Sequence, residues 1–503
     1  MTEKELMKLQ NGSDVRGIAL EGVEGEEVNL RPEAANVIAA AFVRFLMQKL
    51  HKSVGELKIA IGHDSRLSAD DLKKAALQGV LAEGAMAYDC GLASTPAMFM
   101  SIVFPETQMD GSIMITASHL PFNRNGLKFF TRDGGLEKND ILELLAAGAE
   151  LEERSADLAE AHSLPLIDIY AASLCDKIRR GINSRDNYDR PLTGMHIVAD
   201  AGNGAGGFFA SKVLEPLGAD TTGSLYLEPD GSFPNHIPNP ENQAAMGAIQ
   251  GAVLSSRADL GLIFDTDVDR MSAVLPDGQQ ISRNALIAMM AAILAPDYPG
   301  STIITDSVTS DELTVFLEQE LHLKHHRYMR GYKNVINECV RLNDAGTVSP
   351  LAIETSGHGA LSENYYLDDG AYLAVKLLIA AAKAKAQGRA LADLVAALQQ
   401  PAEEREYRLK IKGVEDFRSY GQSVLTEFEA RARAKGIEIA SPSYEGVRLV
   451  FPGEGWVLLR MSLHDPNMPM NMESRQPGGC EKLTAAAREL MDGFEHLDTG
   501  VLE

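Results

Sequence analysis

The chain has 503 residues, 45% of them hydrophobic, with 44 Gly and 21 Pro, the make-up of a globular α/β protein of three or four domains. Lys and Arg number 47 against 71 Asp and Glu, a formal net charge of −24. That balance excludes nucleic acid or an anionic membrane as the main partner, and it obliges any anionic ligand to be gathered by a local cluster of basic groups.

The N-terminal residues MTEKELMKLQNGSD are polar and mixed in charge, unlike a signal peptide. Residues 31–50 carry apolar side chains at three- and four-residue spacing and predict an amphipathic helix. Residues 57–61 form a short apolar run ending in Gly62-His63-Asp64, and residues 112–116 a second ending in Ala117-Ser118-His119. Residues 195–200, 260–264 and 302–305 repeat the theme, apolar or β-branched residues stopping at Gly, Asp or Ser. Repeated βα units with short loops imply open, largely parallel sheets whose ligand loops lie at strand C-termini. The longest apolar run, residues 284–295, falls short of the ~20 residues that span a bilayer. After residue 401 the pattern changes: strands at 407–411, 447–451 and 455–461 with helices at 417–434 and 480–494 predict a separate α+β domain. Breaks near 165, 295 and 401 divide the chain into 1–165, 166–295, 296–400 and 401–503, each of ordinary domain size. Cys90, Cys175, Cys339 and Cys480 are far apart, which suggests neither a disulfide framework nor a zinc site, and the chain reads as cytoplasmic.

Several loops carry groups suited to chemistry. Thr116-Ala117-Ser118-His119-Leu120-Pro121, followed by Asn125-Gly126-Leu127-Lys128, puts a serine at a strand-to-loop junction with His119 and Lys128 as nearby positive charge; in isolation it also fits a polar turn, and it lacks the glycines of a hydrolase elbow. Asp265-Thr266-Asp267-Val268-Asp269-Arg270 follows an apolar strand and offers carboxylates at alternate positions. They converge on a hard cation such as Mg²⁺ if the loop curls, with Arg270 as a charge for a phosphate. An EF-hand fails, because Arg270 stands where Gly is required. Glu354-Thr355-Ser356-Gly357-His358 groups donors and acceptors suited to sugar hydroxyls. Arg460-Met461-Ser462-Leu463-His464-Asp465-Pro466 at a strand end suits a phosphate monoester, and Asp14-Val15-Arg16-Gly17 raises the same question of Arg16. Gly202-Asn203-Gly204-Ala205-Gly206-Gly207 contains G-x-G-x-x-G after a strand, the context of dinucleotide binding. A tight turn needing small residues is the preferred reading there, since a nicotinamide leaves Ser118 and the three aspartates unexplained.

Taken in order, these segments resemble the α-D-phosphohexomutase superfamily, which includes phosphoglucomutase and phosphomannomutase. Asp14–Gly17 looks like its arginine loop, Thr116–Pro121 with Lys128 its phosphoserine loop, Asp265–Arg270 its metal loop, Glu354–His358 its sugar loop and Arg460–Pro466 its phosphate loop. Gly62–Ser68, Thr95-Pro96 and Pro229–Pro234 are secondary markers, and the resemblance runs from about residue 11 to 475. It implies three related α/β domains with mixed sheets plus a smaller C-terminal α+β domain around a central cleft. It also implies a mutase acting on a phosphosugar, glucose or mannose foremost, through phosphoserine 118 and a hexose 1,6-bisphosphate.

On that resemblance Ser118, Asp265, Asp267 and Asp269 hold Mg²⁺, while Arg16, His119, Lys128 and Arg270 serve the transferred phosphoryl group. Lys128 is the candidate general base, a role that needs neighbouring cations to depress its pKa. Glu354, Ser356, His358, Lys333, Arg330, Arg460, Ser462 and His464 bind substrate, with a monomer or homodimer expected. Two departures stand out. Leu120 replaces the usual Asn of the serine loop, and Leu463-His464-Asp465 with Asn467-Met468-Pro469-Met470 alters the phosphate loop, where Arg330 of Met329-Arg330-Gly331-Tyr332-Lys333 is expected to compensate. The alternatives are a metal-dependent phosphatase with Asp265 as nucleophile, and a non-catalytic phosphosugar- or partner-binding relative.

Overall fold

The computed structural model of the protein describes residues 2–462 and 465–502, which gather into two compact units. The first comprises the chain up to Ser282 together with Ser356–Leu394; the second comprises Arg283–Thr355 with the chain from Val395 onward.

In the first unit the predicted helix is Pro32–Leu50, opened by a proline where the missing N–H leaves no bond unmade. Its apolar stripe packs with those of Ala69–Glu83 and Lys138–Ala149 into one core with the adjacent sheet. That sheet runs in the order Gln10–Asn11, Asp14–Ile18, Arg124–Thr131, Gly111–Ile115, Lys58–His63, Met86–Leu92, His162–Ser163, with Gly134–Gly135 beside Arg124–Thr131. Lys58–His63 lies parallel to both its neighbours, but Arg124–Thr131 is antiparallel to all three of its own. The sheet is therefore mixed rather than largely parallel, because the chain leaving Gly111–Ile115 doubles straight back through residues 116–123 instead of crossing over through a helix.

A second sheet repeats the device. Ile197–Asp200 and Leu260–Phe264 are parallel, and Leu260–Phe264 then reverses through residues 265–270 into the antiparallel Met271–Val274. Both loops with the richest chemistry are thus hairpin connections at the C-terminal ends of wholly buried strands. The glycine-rich segment at 202–207 leads only into the six-residue helical segment Phe209–Leu214. Its Gly204 is required by packing, since a Cβ there would lie 2.6 Å from the Thr266 carbonyl oxygen and 2.7 Å from Thr266 Cα. The returning helix Gly370–Ala386 packs on Leu166–Ile182, capped by Asp369, whose carboxylate accepts from Tyr372 N at 2.8 Å and from the Tyr170 hydroxyl at 2.6 Å.

In the second unit Thr302–Thr305 lies between Lys324–Arg327 and Leu351–Ile353, all parallel. The C-terminal residues form an antiparallel sheet in the order Glu403–Lys410, Asn467–Ser474, Gly455–Leu459, Val447–Phe451, Glu438–Ile439, backed by the helices Phe417–Ala434 and Gly479–Leu490. Asn467–Ser474 is a strand the sequence did not predict, in part because Pro469 occupies it. Arg448 ties this sheet to the parallel one: its guanidinium lies 3.7 Å from the centre of the Trp456 ring and donates to the Ser307 and Thr309 carbonyls and to Asp311. All four cysteines are buried free thiols, and no helix among the described residues is long and apolar enough to cross a membrane.

One buried ion pair gives the first unit a pH-dependent stability. Asp200 is fully buried, and its carboxylate oxygens lie 3.0 and 3.2 Å from His236 Nε2, while His236 Nδ1 lies 2.9 Å from the Ile237 carbonyl. Both ring nitrogens face acceptors, so the imidazolium suits the place. Burial pulls the imidazole pKa down, but the hydrogen bond and charge of Asp200 outweigh it and the pKa is raised. The stabilisation is fully present below the unfolded value of about 6.5 and is lost as pH rises through the folded value. His236→Gln should lower the thermal midpoint most below about pH 6.5, with the gap from wild type narrowing as pH rises in a series followed by circular dichroism. A gap constant with pH would contradict the assignment.

Candidate active site

The hairpin loop after Gly111–Ile115 presents Ser118 with a positive φ of 50°, uncommon for a residue bearing a side chain. Thr116 Oγ accepts the Ser118 N–H at 2.8 Å and donates to Asp64 at 2.7 Å. The Ser118 hydroxyl donates to Asp265 Oδ2 at 2.8 Å and accepts from Arg270 Nη2 at 3.0 Å, so the serine and metal-type loops, 147 residues apart in sequence, meet at one oxygen.

Asp265, Asp267 and Asp269 each place a carboxylate oxygen within 4.8 Å of the others, and all three are buried. The loop curls as the alternate spacing requires, at a cost: Val268, β-branched and fully buried, adopts φ 66°. Gly370 closes against the curl, its N–H reaching the Val268 carbonyl at 3.1 Å. Thr95, at the start of the helix Thr95–Val103, donates its hydroxyl to Asp267 and its N–H to the Asp267 carbonyl at 2.8 Å.

The charge here is incompletely compensated. Lys128 lies 3.1 Å from Asp267 and 2.5 Å from Asp269, and Arg270 Nε lies 3.3 Å from Asp265. Even so, burial and then repulsion from Asp269 and Asp267 push the Asp265 carboxyl well above the carboxylate range. For Asp267 and Asp269 burial acts upward too, but Lys128 leads the groups that more than offset it and both are lowered. Asp267 Oδ1 and Asp269 Oδ1 are buried and accept no hydrogen bond among the described residues. Three carboxylates with oxygens within 4.8 Å of one another, two of them with a buried oxygen that accepts no hydrogen bond among the described residues, fit a divalent cation.

Around this point stand the other residues predicted for the transferred group. His119 Nδ1 accepts from Arg270 and lies 3.4 Å from Ser118 Oγ; burial, then the charges of Arg270 and Arg16, keep the imidazole well below its ordinary pKa and neutral. Arg16 sits on Asp14–Ile18 opposite Gly126, ion-paired to Asp14 at 2.9 Å, and its charge also acts on Asp267. Lys128, on Arg124–Thr131, lies against the Asp267 and Asp269 carboxylates. From the sugar-type loop, Ser356 Oγ is 2.9 Å from His358 Nδ1, and His358 Nε2 is 3.6 Å from both Asp269 and Asp368.

The second unit gathers the remaining predicted residues apart from His464, which lies outside the described residues. Glu354 accepts the Gly331 N–H at 2.6 Å, holding the turn Arg330-Gly331 at the head of the helix Tyr332–Asp344, whose first turn carries Lys333. Arg460 is 6% exposed, and its Nε is buried without a hydrogen bond among the described residues. Burial lowers its pKa, Glu445 at 3.7 Å opposes this, and Arg330 adds repulsion. The Ser462 hydroxyl accepts the Asp465 N–H at 3.2 Å. Glu445, which no motif pointed to, holds the two loops together: besides facing Arg460 it accepts the Arg330 N–H at 3.0 Å and the Ser307 hydroxyl. A lone glutamate in a loop has no signature until the partners it joins are known. Asp64, Arg66, Thr95 and Thr116 were likewise missed as functional, although three of them fall in the marker segments.

Models of the phosphoglucomutase/phosphomannomutase family match the chain in three stretches: its alpha/beta/alpha domain I at residues 7–154, domain II at 173–278 and domain III at 282–401. A phosphoglucomutase of Neisseria gonorrhoeae is 28% identical over 487 residues, covering 96% of each chain. A Methanocella arvoryzae protein named as a phosphoglucosamine mutase is 30% identical over 466 residues, 90% of this chain and 95% of that protein. The crystal structure of a phosphoglucomutase/phosphomannomutase family protein from Burkholderia thailandensis superposes with a TM-score of 0.79 at 24% identity, covering 99% of this chain and 100% of that one. Sequence and fold agree along nearly the whole length, and the chain belongs to the phosphoglucomutase/phosphomannomutase family of hexose phosphate mutases.

Proposed function

We propose that the protein interconverts hexose 1-phosphate and hexose 6-phosphate in two half-reactions joined by a hexose 1,6-bisphosphate, with Ser118 as the phosphoryl carrier. The observation that carries this reading is the Ser118 hydroxyl, held between the Asp265 carboxylate and the Arg270 guanidinium at the edge of three buried aspartates. Phosphoryl transfer needs positioning and charge stabilisation more than covalent help, and those are what this loop pair supplies.

Asp265, Asp267 and Asp269, with an oxygen of Ser118, are the residues proposed to hold Mg²⁺, which when bound supplies Lewis-acid charge neutralisation for the phosphoryl group. In the first half-reaction the bond from Ser118 Oγ to phosphorus breaks as a sugar hydroxyl oxygen bonds to that phosphorus; in the second the bond from the other sugar oxygen to its phosphorus breaks as Ser118 Oγ bonds to it, and Ser118 is phosphorylated again. Arg270 and Arg16 stabilise charge on the transferring oxygens. His119, neutral and with Nδ1 occupied by Arg270, has its Nε2–H to donate. Glu354, Ser356 and His358 are assigned to the sugar hydroxyls. Arg330, Lys333, Arg460 and Ser462 are assigned to the phosphate that is not reacting, an assignment supported by the neighbouring Arg330 and Arg460 guanidinium groups and by Arg460 Nε, buried without a hydrogen bond among the described residues. The substrate is thus a phosphosugar, and four free thiols fit a reducing compartment such as the cytoplasm.

The test of the reaction is phosphorus NMR of a hexose 1-phosphate panel with Mg²⁺ and a trace of bisphosphate. Conversion to the 6-phosphate that disappears in Ser118→Ala is expected. Free phosphate released by both proteins would make the chain a phosphatase working through Asp265, and no change on any sugar would leave it a binding protein. Lys128 is assigned the proton of the attacking hydroxyl. Lys128→Arg keeps the charge but cannot accept that proton, so kcat should fall about 10²–10⁴-fold; near-normal turnover would make Lys128 an electrostatic group alone. Arg330→Ala should raise the KM for hexose 1-phosphate about tenfold or more, the weight of one charge-assisted hydrogen bond, and an unchanged KM would remove Arg330 from the phosphate set.

A further inference from the structure

The marker segment Gly62–Ser68 contains a residue that the proposed reaction leaves without a task. Arg66 is fully buried, and its guanidinium is turned onto the loop that carries Ser118. Nη1 donates to the carbonyls of Pro121 at 2.7 Å and Arg124 at 2.9 Å, and Nη2 to those of Leu120 at 2.6 Å and of Ser118 itself. Nε faces Asp64 Oδ2 at 3.3 Å. All five N–H groups are therefore turned inward, four of them onto the carbonyls of one loop.

We propose that Arg66 is the positioning residue that holds Ser118 in the conformation from which it carries the phosphoryl group. The argument starts from the backbone. A loop that reverses between two buried strands over residues 116–123 turns several carbonyls toward its own centre, where no water can meet them. Only a planar, five-donor side chain can satisfy four carbonyls from one point; an ammonium has three donors and no fixed fork. Ser118 is the residue of this loop with a left-handed φ, and both its peptide groups are held. Its C=O goes to Arg66, and its N–H goes to Thr116 Oγ, which donates to Asp64. Asp64 closes the ring by accepting the Arg66 N–H at 2.9 Å. Arg66, Asp64 and Thr116 thus grip the serine from both sides of its Cα, leaving the hydroxyl free to reach Asp265 and Arg270.

The grip is backed by another marker segment. The Phe233 ring lies 5.3 Å from the Arg66 guanidinium, and Gly231 packs so close that a Cβ there would come within 2.7 Å of Arg66 Cα. The turn at 229–234 thereby keeps Arg66 from withdrawing. Two marker segments that carry no reacting group acquire one physical purpose.

The inference rests on Ser118 being the phosphoryl carrier, so its test includes a readout that does not depend on turnover. Arg66→Lys, which keeps the charge but cannot span four carbonyls, is compared with wild type as the full-length, Mg²⁺-loaded protein. Amide hydrogen exchange in residues 117–124 should quicken at least about tenfold while the flanking strands keep their protection. Turnover of hexose 1-phosphate should fall about 100-fold in kcat with KM little changed, as expected for a displaced reacting atom, and labelling of Ser118 from hexose 1,6-bisphosphate should fall in step. Arg66→Ala should recover turnover when guanidinium is added and not with urea at the same concentration. Unchanged exchange in 117–124 would overturn the proposal whatever the activity. So would a raised KM at constant kcat, which would put Arg66 on the substrate. Wild-type protein that converts no hexose phosphate would instead sink the mutase reading and leave the exchange result to decide this one. If Arg66→Lys does not fold, Thr116→Val breaks the other side of the grip, and normal exchange and kcat in that variant would equally refute the proposal.

Discussion

Three aspartate carboxylates closed off from water within 4.8 Å of one another set the terms for the first unit. Like charges some 4 Å apart repel by about 4 kcal/mol even at an effective dielectric of 20. A chain that brings three together must offset this on every side. Lys128 arrives from the neighbouring sheet, Arg270 from the end of the same loop, and Thr95 from the first turn of a helix. The strained Val268 backbone is tolerated because Gly370 and Asp265 brace the curl from either side. Ser118 is drawn into the same arrangement as a donor to the most burdened of the three carboxylates.

The second unit brings guanidinium groups together instead. Arg330 and Arg460 are close enough to repel, and Glu445 is the acid that draws them together. Buried carboxylates suit a cation, and paired guanidinium groups suit a phosphate dianion. One protein thus carries two clusters of like charge, opposite in sign from one unit to the other. Leu463 to Asp465 lacks the polar pattern of the family, yet the arginine that precedes it is deeply seated and retains a donor to give.

What could be read from the sequence was what sits close together in it. Alternate carboxylates after an apolar strand pointed to the aspartate cluster, because a loop of six residues leaves few ways to place its side chains, and a serine at a strand end marked Ser118, whose proposed role as carrier came from the family resemblance. The helix Pro32–Leu50 and the strand Leu260–Phe264 followed from periodicity alone. Arg66 was quoted only as part of a marker, since its partners are carbonyls, which carry no side-chain signature. Glu445 was invisible for a related reason: it links a loop at 330 to one at 460. The strand Asn467–Ser474 was lost to Pro469, whose missing N–H argues against an interior position until its neighbours are known. The βα pattern alone implied largely parallel sheets, because it counted strands without the tight reversals at 116–123 and 265–270, whereas the family resemblance implied the mixed sheets that are found.

The first unit is not finished when its own first 282 residues have been made. The helix Gly370–Ala386, which packs on Leu166–Ile182 and whose first residue braces the aspartate curl, is translated roughly 90 residues later. At about 5–20 residues per second on the ribosome, the apolar flank of Leu166–Ile182 waits several seconds for its cover while the first segment of the second unit emerges. The interval makes this flank the natural place for a chaperone to act on the nascent chain. It also means that a ribosome stalled before residue 370 leaves behind an unfinished protein with an exposed oily seam and an unbraced aspartate loop.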